Sequence, residues 1–202
     1  MYRVRPPLAG RVEVKGGLAR LLTELAAPWT VNVASCLILG WSVGHPGWGA
    51  FVALFSGLLP MLLIGRGVVR ESIGNHHVTE HSERHGLLLA ILGMIFFALV
   101  VQLVAGSPPE MIALTCAGLA TLVGIALWTS IVRINASVHM AVWCGVVAIL
   151  AIALGPWWWL GLALAPAIAW SRLHLDHHTV GQISVGAATG LIVAPSIYLL
   201  VA

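Results

Sequence analysis

The sequence predicts an all-α polytopic membrane protein with about six to seven transmembrane helices in one bundle. Of its 202 residues, 59% are hydrophobic and only 8% are charged, whereas about a quarter of the residues of a soluble domain are charged. Such a chain has too little polar surface to cover a water-soluble globule. The length allows one bundle, residues 27–202, preceded by a basic segment, residues 1–26.

Seven apolar runs approach the roughly 20 residues that a helix needs to cross the hydrocarbon core. They are residues 27–44, 48–65, 86–105, 110–131, 139–155, 157–171 and 182–201. Each is expected to be helical, because a segment in hydrocarbon must satisfy its own backbone hydrogen-bonding groups. Before the first run, the stretch Gly17 to Trp29 has the character of an amphipathic helix that begins on the membrane surface.

The charge distribution predicts the orientation. If the seven runs all cross, every one of the ten Lys and Arg residues falls on the side of the N-terminus, and the opposite side holds only the charged residue Glu110. The positive-inside rule then places the N-terminus and the polar loops in the cytoplasm, and we expect the chain to be integral to the plasma membrane. The basic residues are not interleaved with exposed aromatic residues, so no nucleic-acid partner is expected.

Three polar stretches carry the chemical information: residues 70–85 (RESIGNHHVTEHSERH), 133–139 (RINASVH) and 171–182 (SRLHLDHHTVGQ). They hold eight of the nine histidines. Two predicted spans separate each stretch from the next, so all three reach the same face of the membrane. Ionisable groups collected at a membrane boundary indicate a functional site.

One chemistry that uses such histidines is phosphoryl transfer through a nucleophilic histidine. His178 and Gln182 are four residues apart, so they share a helical face if the last helix starts early, and Gln182 can then fix the tautomer of His178. His139 lies at the start of the fifth run, where Ser137 is a candidate cap and the free N–H groups of the helix end favour a phosphate. Arginine side chains suit phosphate oxygens because their planar forks bind two at once. The candidates are Arg84 and Arg172.

The second chemistry is a dinuclear metal centre. His77, His81 and His85 are spaced as HxxxH pairs, and HxxHH follows at residues 174–178. These spacings put ligands on one helical face and resemble the histidine boxes of membrane desaturases and hydroxylases. The chain lacks a third full box, and this chemistry gives the arginines no role.

The third polar stretch resembles the last motif of the type-2 phosphatidic-acid phosphatase superfamily, the lipid phosphate phosphatases. That motif is usually written S-R-x5-H-x3-D. Ser171, Arg172 and His178 match it, with Gln182 in the place of the acid. The glycine-containing sequence HTVGQISVGAATG that follows is also similar to the helix that continues the family motif.

The other two family motifs are matched in part. In P-S-G-H, Ser137 and His139 are present, with Ala and Val in the Pro and Gly places. In K-x6-R-P, His77 takes the place of the lysine, Arg84 matches, and His85 replaces the proline. These departures are similar to those of short bacterial, largely actinobacterial, members, and the resemblance covers roughly residues 50 to 200.

The resemblance implies a metal-independent hydrolase that needs no cofactor. His178 would attack phosphorus, His139 would protonate the leaving oxygen, and Gln182 would orient His178. The residues implied to bind the phosphoryl oxygens are Arg172, Arg84, His77, Ser137 and Ser171. The expected substrate is a phosphate monoester or diphosphate anchored in the bilayer: an isoprenoid, a polyprenyl-linked sugar or a phospholipid.

Two other functions remain open on the sequence. One is a di-iron membrane hydroxylase or desaturase that uses the histidine boxes. The other is a catalytically weak lipid-binding or transport protein on the same scaffold. The sequence also leaves the oligomeric state open, with a homo-oligomer as one option.

Overall fold

A computed structural model describes the backbone of residues 9–71 and 80–202, and the side chains of residues 16–66, 86 and 89–202. These ranges are helical and contain no β-strand. A π-helical turn, Leu54–Leu58, joins α3 to α4, and a 3-10 helix, Pro156–Leu164, precedes α8. The α-helices in the described ranges are α1 (Ala9–Leu25), α2 (Pro28–Ser42), α3 (Pro46–Ala53), α4 (Leu59–Glu71), α5 (Glu80–Ala105), α6 (Pro109–Ser130), α7 (Val138–Leu154), α8 (Ala165–His174) and α9 (Val180–Val201).

Four helical stretches of the described chain are long and apolar enough to cross a membrane. They are Gly16–Ser42, Pro46–Arg66, Pro109–Ser130 and Val180–Val201. Two shorter helical stretches, Leu89–Ala105 and Val138–Leu154, are also apolar. Large apolar side chains remain exposed on these helices, such as Val104 at 83% and Leu200 at 80%, as lipid-facing positions do. The predicted class, an all-α membrane protein, is therefore confirmed.

The predicted sixth run, residues 157–171, is not one continuous α-helix. Its first part forms the 3-10 helix, and its second part belongs to α8. Gly155 turns the chain at a φ of 118°, Pro156 follows it, and Pro166 lies in the first turn of α8. Proline lacks an N–H and fixes φ, so it begins a helical segment more readily than it continues one.

A proline also interrupts the second predicted run. Pro60 has no N–H to offer the carbonyl of Ser56, four residues earlier. The chain widens there into the π-helical turn, and the side-chain amide of Asn32 in α2 donates to the Ser56 carbonyl at 3.2 Å. An amide from a neighbouring helix thus replaces the missing backbone donor, which makes a proline tolerable inside a membrane.

The N-terminal helix α1 packs against α8. Ala19 and Thr23, one turn apart, are buried, whereas Leu18, Leu21 and Leu25 are exposed. This end of α1 therefore joins the bundle on one face and presents leucines on another. The interfacial position expected for the segment stays a prediction.

Two glycines bring α9 into backbone contact with α7. A Cβ atom at Gly186 would overlap the backbone of Ser137, and one at Gly190 would overlap the backbone of Ala141. Small residues four apart let helices approach this closely, and packing of this kind drives helix association in membranes. The contact fixes the start of α7 beside the start of α9.

We expect Gly190→Ala to lower the free energy of unfolding by about 1–3 kcal/mol, because the added methyl group forces the two backbones apart. Gly93→Ala is the matched control, since nothing lies within 4 Å of a Cβ placed there. It should change stability by no more than about 1 kcal/mol, in the direction of greater stability. Unfolding of the detergent-solubilised protein by SDS, followed by circular dichroism, measures both. Equal losses would contradict the close contact.

Candidate functional site

The starts of α7 and α9 and the end of α8 meet around the predicted site residues. The backbone N–H of Ser137 donates to the carbonyl of Gln182 at 3.0 Å, which joins α7 to α9. The N–H of His177 donates to the carbonyl of Arg172 at 3.0 Å and folds the turn after α8 back on that helix. Three of the predicted residues line one cavity: His139, Arg172 and His178.

Gln182 holds His178 through the cap of α9. Thr179 is the N-cap, and its hydroxyl accepts from the N–H of Gln182 while the Gln182 side chain accepts from the N–H of Thr179 at 3.0 Å. The same Gln182 oxygen, Oε1, lies 3.3 Å from Nδ1 of His178. A carbonyl oxygen has two lone pairs, so it can accept both bonds. With Nδ1 as the donor, the Nε2 nitrogen of His178 keeps its lone pair.

The surroundings of His178 favour the neutral imidazole. Burial lowers the pKa of His178 below its ordinary value of 6.5, and the positive charge of Arg172 lowers it further. The side chain of Gln182 and the nearby backbone of Asn135 act in the opposite direction without reversing the shift. His178 is therefore neutral at neutral pH, which is the form of histidine that can act as a nucleophile.

Two buried polar atoms at this site lack a hydrogen-bond partner within the described chain. They are Oγ of Ser137, whose residue is 0% exposed, and Nε of Arg172, whose residue is 8% exposed. Ser137 occupies the predicted N-cap position of α7, but its side chain makes no capping hydrogen bond. The expected cap is thus corrected: the backbone of Ser137 is held by α9, and its hydroxyl stays free. Each such buried group costs about 1–3 kcal/mol unless a ligand satisfies it.

Arg172 is a cation held partly inside the protein. Burial lowers its pKa, and the nearby carboxylate of Glu24 opposes that shift. An arginine keeps its charge even so, because its ordinary pKa lies far above neutral pH. Beside a neutral His178, Arg172 gives this end of the cavity a positive potential.

His139 is the second residue of α7 and is half-buried. Its imidazole lies near the side chains of Arg172, His177 and His178 and faces the backbone carbonyl of Thr23. The two histidines predicted to act together are therefore neighbours in the cavity wall.

Ser171 differs from the other predicted phosphate ligands. It is 0% exposed, and its hydroxyl donates to the carbonyl of Ile168 at 2.7 Å. Its oxygen also lies 3.2 Å from the hydroxyl of Thr23 in α1. A hydroxyl has one proton to donate, so Ser171 has none left for a phosphate. In this structure Ser171 links α8 to α1.

The cavity extends from these residues into the apolar part of the bundle. It has a volume of about 660 Å³, within the ordinary range for a ligand site. Along α7 it is lined by His139, Val142, Val146 and Ile149, which share one helical face. The stretch from His139 to Ile149 is about 15 Å long at the usual helical rise, or about half of the hydrocarbon thickness of a bilayer. Such a cavity suits a molecule with a polar head and an apolar tail.

Several candidate residues of the first polar stretch are not among those whose side chains the structure describes. His77 is outside the described residues, and so are the side chains of Arg84, His81 and His85. Within the described chain, no three His, Cys, Asp or Glu side chains are grouped so that they could hold a metal ion. Of the HxxHH box, the ring of His174 stacks on Trp170 with a centroid distance of 5.1 Å.

Sequence reasoning missed Thr23, Glu24 and Asn135, and it gave His177 a role only in a metal site. His177 lines the cavity beside His178. Thr23 and Glu24 form a polar pair just before the Ala-Ala-Pro sequence that separates α1 from α2. The sequence did contain a signal for these two residues: they are a polar pair at a helix break, on the side of the membrane where the other polar loops are predicted.

No protein-family model matches the chain, and no curated protein or solved structure matches it.

We expect Arg172→Gln to raise the pKa of His178, because it removes the positive charge that disfavours the imidazolium. NMR titration of the His178 side chain in the solubilised protein measures the pKa. Arg133→Gln is the matched control, since Arg133 is an exposed cation of the loop before α7 that does not contribute to the shift. If Arg172→Gln leaves the pKa unchanged or lowers it, the electrostatic description of the site is wrong.

Proposed function

We propose that the protein is a membrane lipid-phosphate phosphatase that acts through a phosphohistidine at His178. The observation that carries the proposal is the Gln182 side chain on Nδ1 of His178, which leaves Nε2 as a neutral nucleophile. His178 lies at the polar end of the cavity, which Arg172 also lines. The substrate is a phosphate monoester or diphosphate on a membrane-anchored isoprenoid, polyprenyl sugar or phospholipid.

The first chemical step transfers the phosphoryl group. The lone pair on Nε2 of His178 forms a bond to phosphorus while the bond from phosphorus to the leaving oxygen breaks. His139 gives its proton to that oxygen, so the lipid leaves as a neutral alcohol, or as a monophosphate when the substrate is a diphosphate. His139 must be protonated at the start of this step. Its burial beside the cation Arg172 opposes that charge, so we expect the first step to be favoured at acidic pH.

The second step releases phosphate. Water attacks phosphorus, His139 now accepts the proton from the water, and the electrons of the N–P bond return to Nε2 of His178. Both histidines are then back in their starting states. The reaction needs water and no metal ion, oxidant or other co-reactant.

The unsatisfied donors explain how a phosphate would be held. Nε of Arg172, a residue that lines the cavity, lacks a partner within the described chain, and it is a donor suited to phosphoryl oxygens. Oγ of Ser137 also lacks a partner there, but Ser137 is 0% exposed, so it would reach a phosphate only after a local shift. Arg84 and His77 are the further ligands expected from the sequence. Ser171 supports Arg172, its chain neighbour, through its contacts with Ile168 and Thr23.

The apolar cavity supports a lipid substrate. Its depth of about half a bilayer accommodates a tail within one leaflet, with the phosphate at the histidines. The proposed topology has six to seven spans and a cytoplasmic site, which favours substrates made inside the cell.

A cysteine at His85 tests this orientation. We expect His85→Cys to resist a membrane-impermeant thiol reagent in intact cells and to react once the membrane is opened, because the polar loops face the cytoplasm. His45→Cys, in the loop between α2 and α3, is the matched control and should react in intact cells. The background is low, since Cys36 and Cys144 are buried and Cys116 is partly buried. The reverse pattern of labelling would refute a cytoplasmic site.

The activity is tested by phosphate release from a panel of lipid phosphates in mixed micelles. We expect His178→Ala to lose at least about 10³-fold in rate, because removal of a nucleophile disables the whole catalytic unit. His174→Ala is the matched control: His174 belongs to the same stretch but is exposed and stacked on Trp170. It should retain the wild-type rate.

Quenched reactions with phosphate-labelled substrate provide a second measurement. The wild type should carry an acid-labile label that is absent from His178→Ala. Equal rates for wild type and His178→Ala on every substrate that turns over would rule out His178 as the nucleophile.

A further inference from the structure

The last turn of α1 is built into the wall of the proposed active site. Thr23 is only 8% exposed, and its hydroxyl lies 3.2 Å from the hydroxyl of Ser171. The backbone carbonyl of the same residue faces the imidazole of His139. Thr23 therefore contacts the helix that carries Arg172 and lies beside the histidine proposed as the general acid.

The Thr23 carbonyl is available because of a proline five residues later. In a continuing helix, the carbonyl of Glu24 would accept from the N–H of residue 28, but Pro28 has none. The N–H of Ala27 bonds to the carbonyl of Glu24 at 3.2 Å instead, and the N–H of Ala26 bonds to that of Leu22 at 3.0 Å. Neither amide uses the carbonyl of Thr23. Such carbonyls at helix ends need partners from elsewhere in the fold.

A carbonyl beside one ring nitrogen fixes how a histidine works. The carbonyl can only accept, so it retains a proton on the nitrogen that faces it and holds the plane of the ring. The other nitrogen of His139 is then the one that gives its proton to a leaving group in the cavity. Arg172, His177 and His178 are the other charged or titratable groups of the described chain near His139. Each of these groups disfavours the protonated form of His139, and a hydrogen-bond acceptor on its ring opposes that effect.

The hydrogen bond between the Thr23 and Ser171 hydroxyls helps to position Arg172, the chain neighbour of Ser171. Ser171 donates to Ile168, so the shared proton between Thr23 and Ser171 comes from Thr23. This bond holds the last turn of α8 against α1. The nearby charge of Glu24 acts on the same guanidinium.

We infer that Thr23 is a positioning residue for the phosphatase reaction: its carbonyl orients His139, and its hydroxyl fixes Ser171 and thereby Arg172. The inference rests on the proposed function and makes α1 a required part of the active site. A lipid phosphate would then be processed only while α1 is docked on α8.

The test compares Thr23→Val, which keeps the shape of the side chain and loses the hydroxyl, with Thr23→Ser, which keeps the hydroxyl. Leu25→Ala is the control on the same turn, since Leu25 is 61% exposed. The full-length variants are assayed for phosphate release across pH, and rates are divided by the fraction of folded protein. We expect Thr23→Val to lose roughly tenfold in kcat/KM, as for one buried hydrogen bond. Thr23→Ser should recover most of that loss, and Leu25→Ala should match the wild type.

A second result separates positioning from a structural role. Loosening the carbonyl contact makes His139 lose its proton more easily, so the alkaline limb of the pH profile of Thr23→Val should move to lower pH. The size expected is about half a unit, the equivalent of part of one hydrogen bond. A merely structural residue would lower the folded fraction and leave this limb in place. A tenfold loss without the shift, or no loss at all, would overturn the inference.

NMR of histidine-labelled protein distinguishes this inference from the proposed function. The His139 ring should show one slowly exchanging N–H in the wild type, and its exchange should be faster in Thr23→Val. If that difference is present while wild type releases no phosphate from any lipid, the proposed function fails and the contact stands. If wild type is active and Thr23→Val equals it in rate, pH profile and exchange, only the inference fails.

Discussion

The close contact between α7 and α9 is the constraint on which the site depends. Because Gly186 and Gly190 have no side chains, α9 lies against the backbone of α7, and the N–H of Ser137 reaches the carbonyl of Gln182. That register sets His139, two residues after Ser137, beside His178, four residues before Gln182. Any separation of the two helices would break this backbone bond and spread the two histidines apart.

What the sequence could predict was set by composition and local spacing. The all-α class followed from too few charges to cover a globule. The four-residue spacing predicted the pairing of His178 with Gln182, and the structure has Nδ1 of His178 3.3 Å from the amide oxygen. The expected shared helix face is wrong, because α9 begins at Val180 and His178 precedes its N-cap, Thr179. Thr179 and Gln182 are also spaced as a capping box, which forms and depends on the same local geometry.

Features that depend on tertiary contacts could not be predicted. Ser137 has a residue type that normally caps a helix, but its backbone is bonded to α9 and its hydroxyl stays free. Ser171 was predicted to bind phosphate, yet its proton goes to Ile168. Apolar composition predicted one long run at residues 157–171, and it could not reveal that Gly155 and the following prolines divide this segment. Thr23 belongs to no motif, because its contact with Ser171 arises only from the docking of α1 on α8.

Gln182 and Arg172 have opposite effects on the pKa of His178, because the hydrogen bond to Gln182 raises it and the charge of Arg172 lowers it. A carboxylate in the place of Gln182 would stabilise the positive charge that develops on the ring when Nε2 bonds to phosphorus. It would also raise the pKa of His178, so less of the residue would be a free nucleophile. With Gln182, burial and Arg172 keep His178 neutral, and the ring is a nucleophile even below the ordinary histidine pKa. Under the proposed mechanism, Arg172 must then stabilise the transition state mainly through the phosphoryl oxygens. The unpartnered Nε of Arg172 is a donor that remains available for that task.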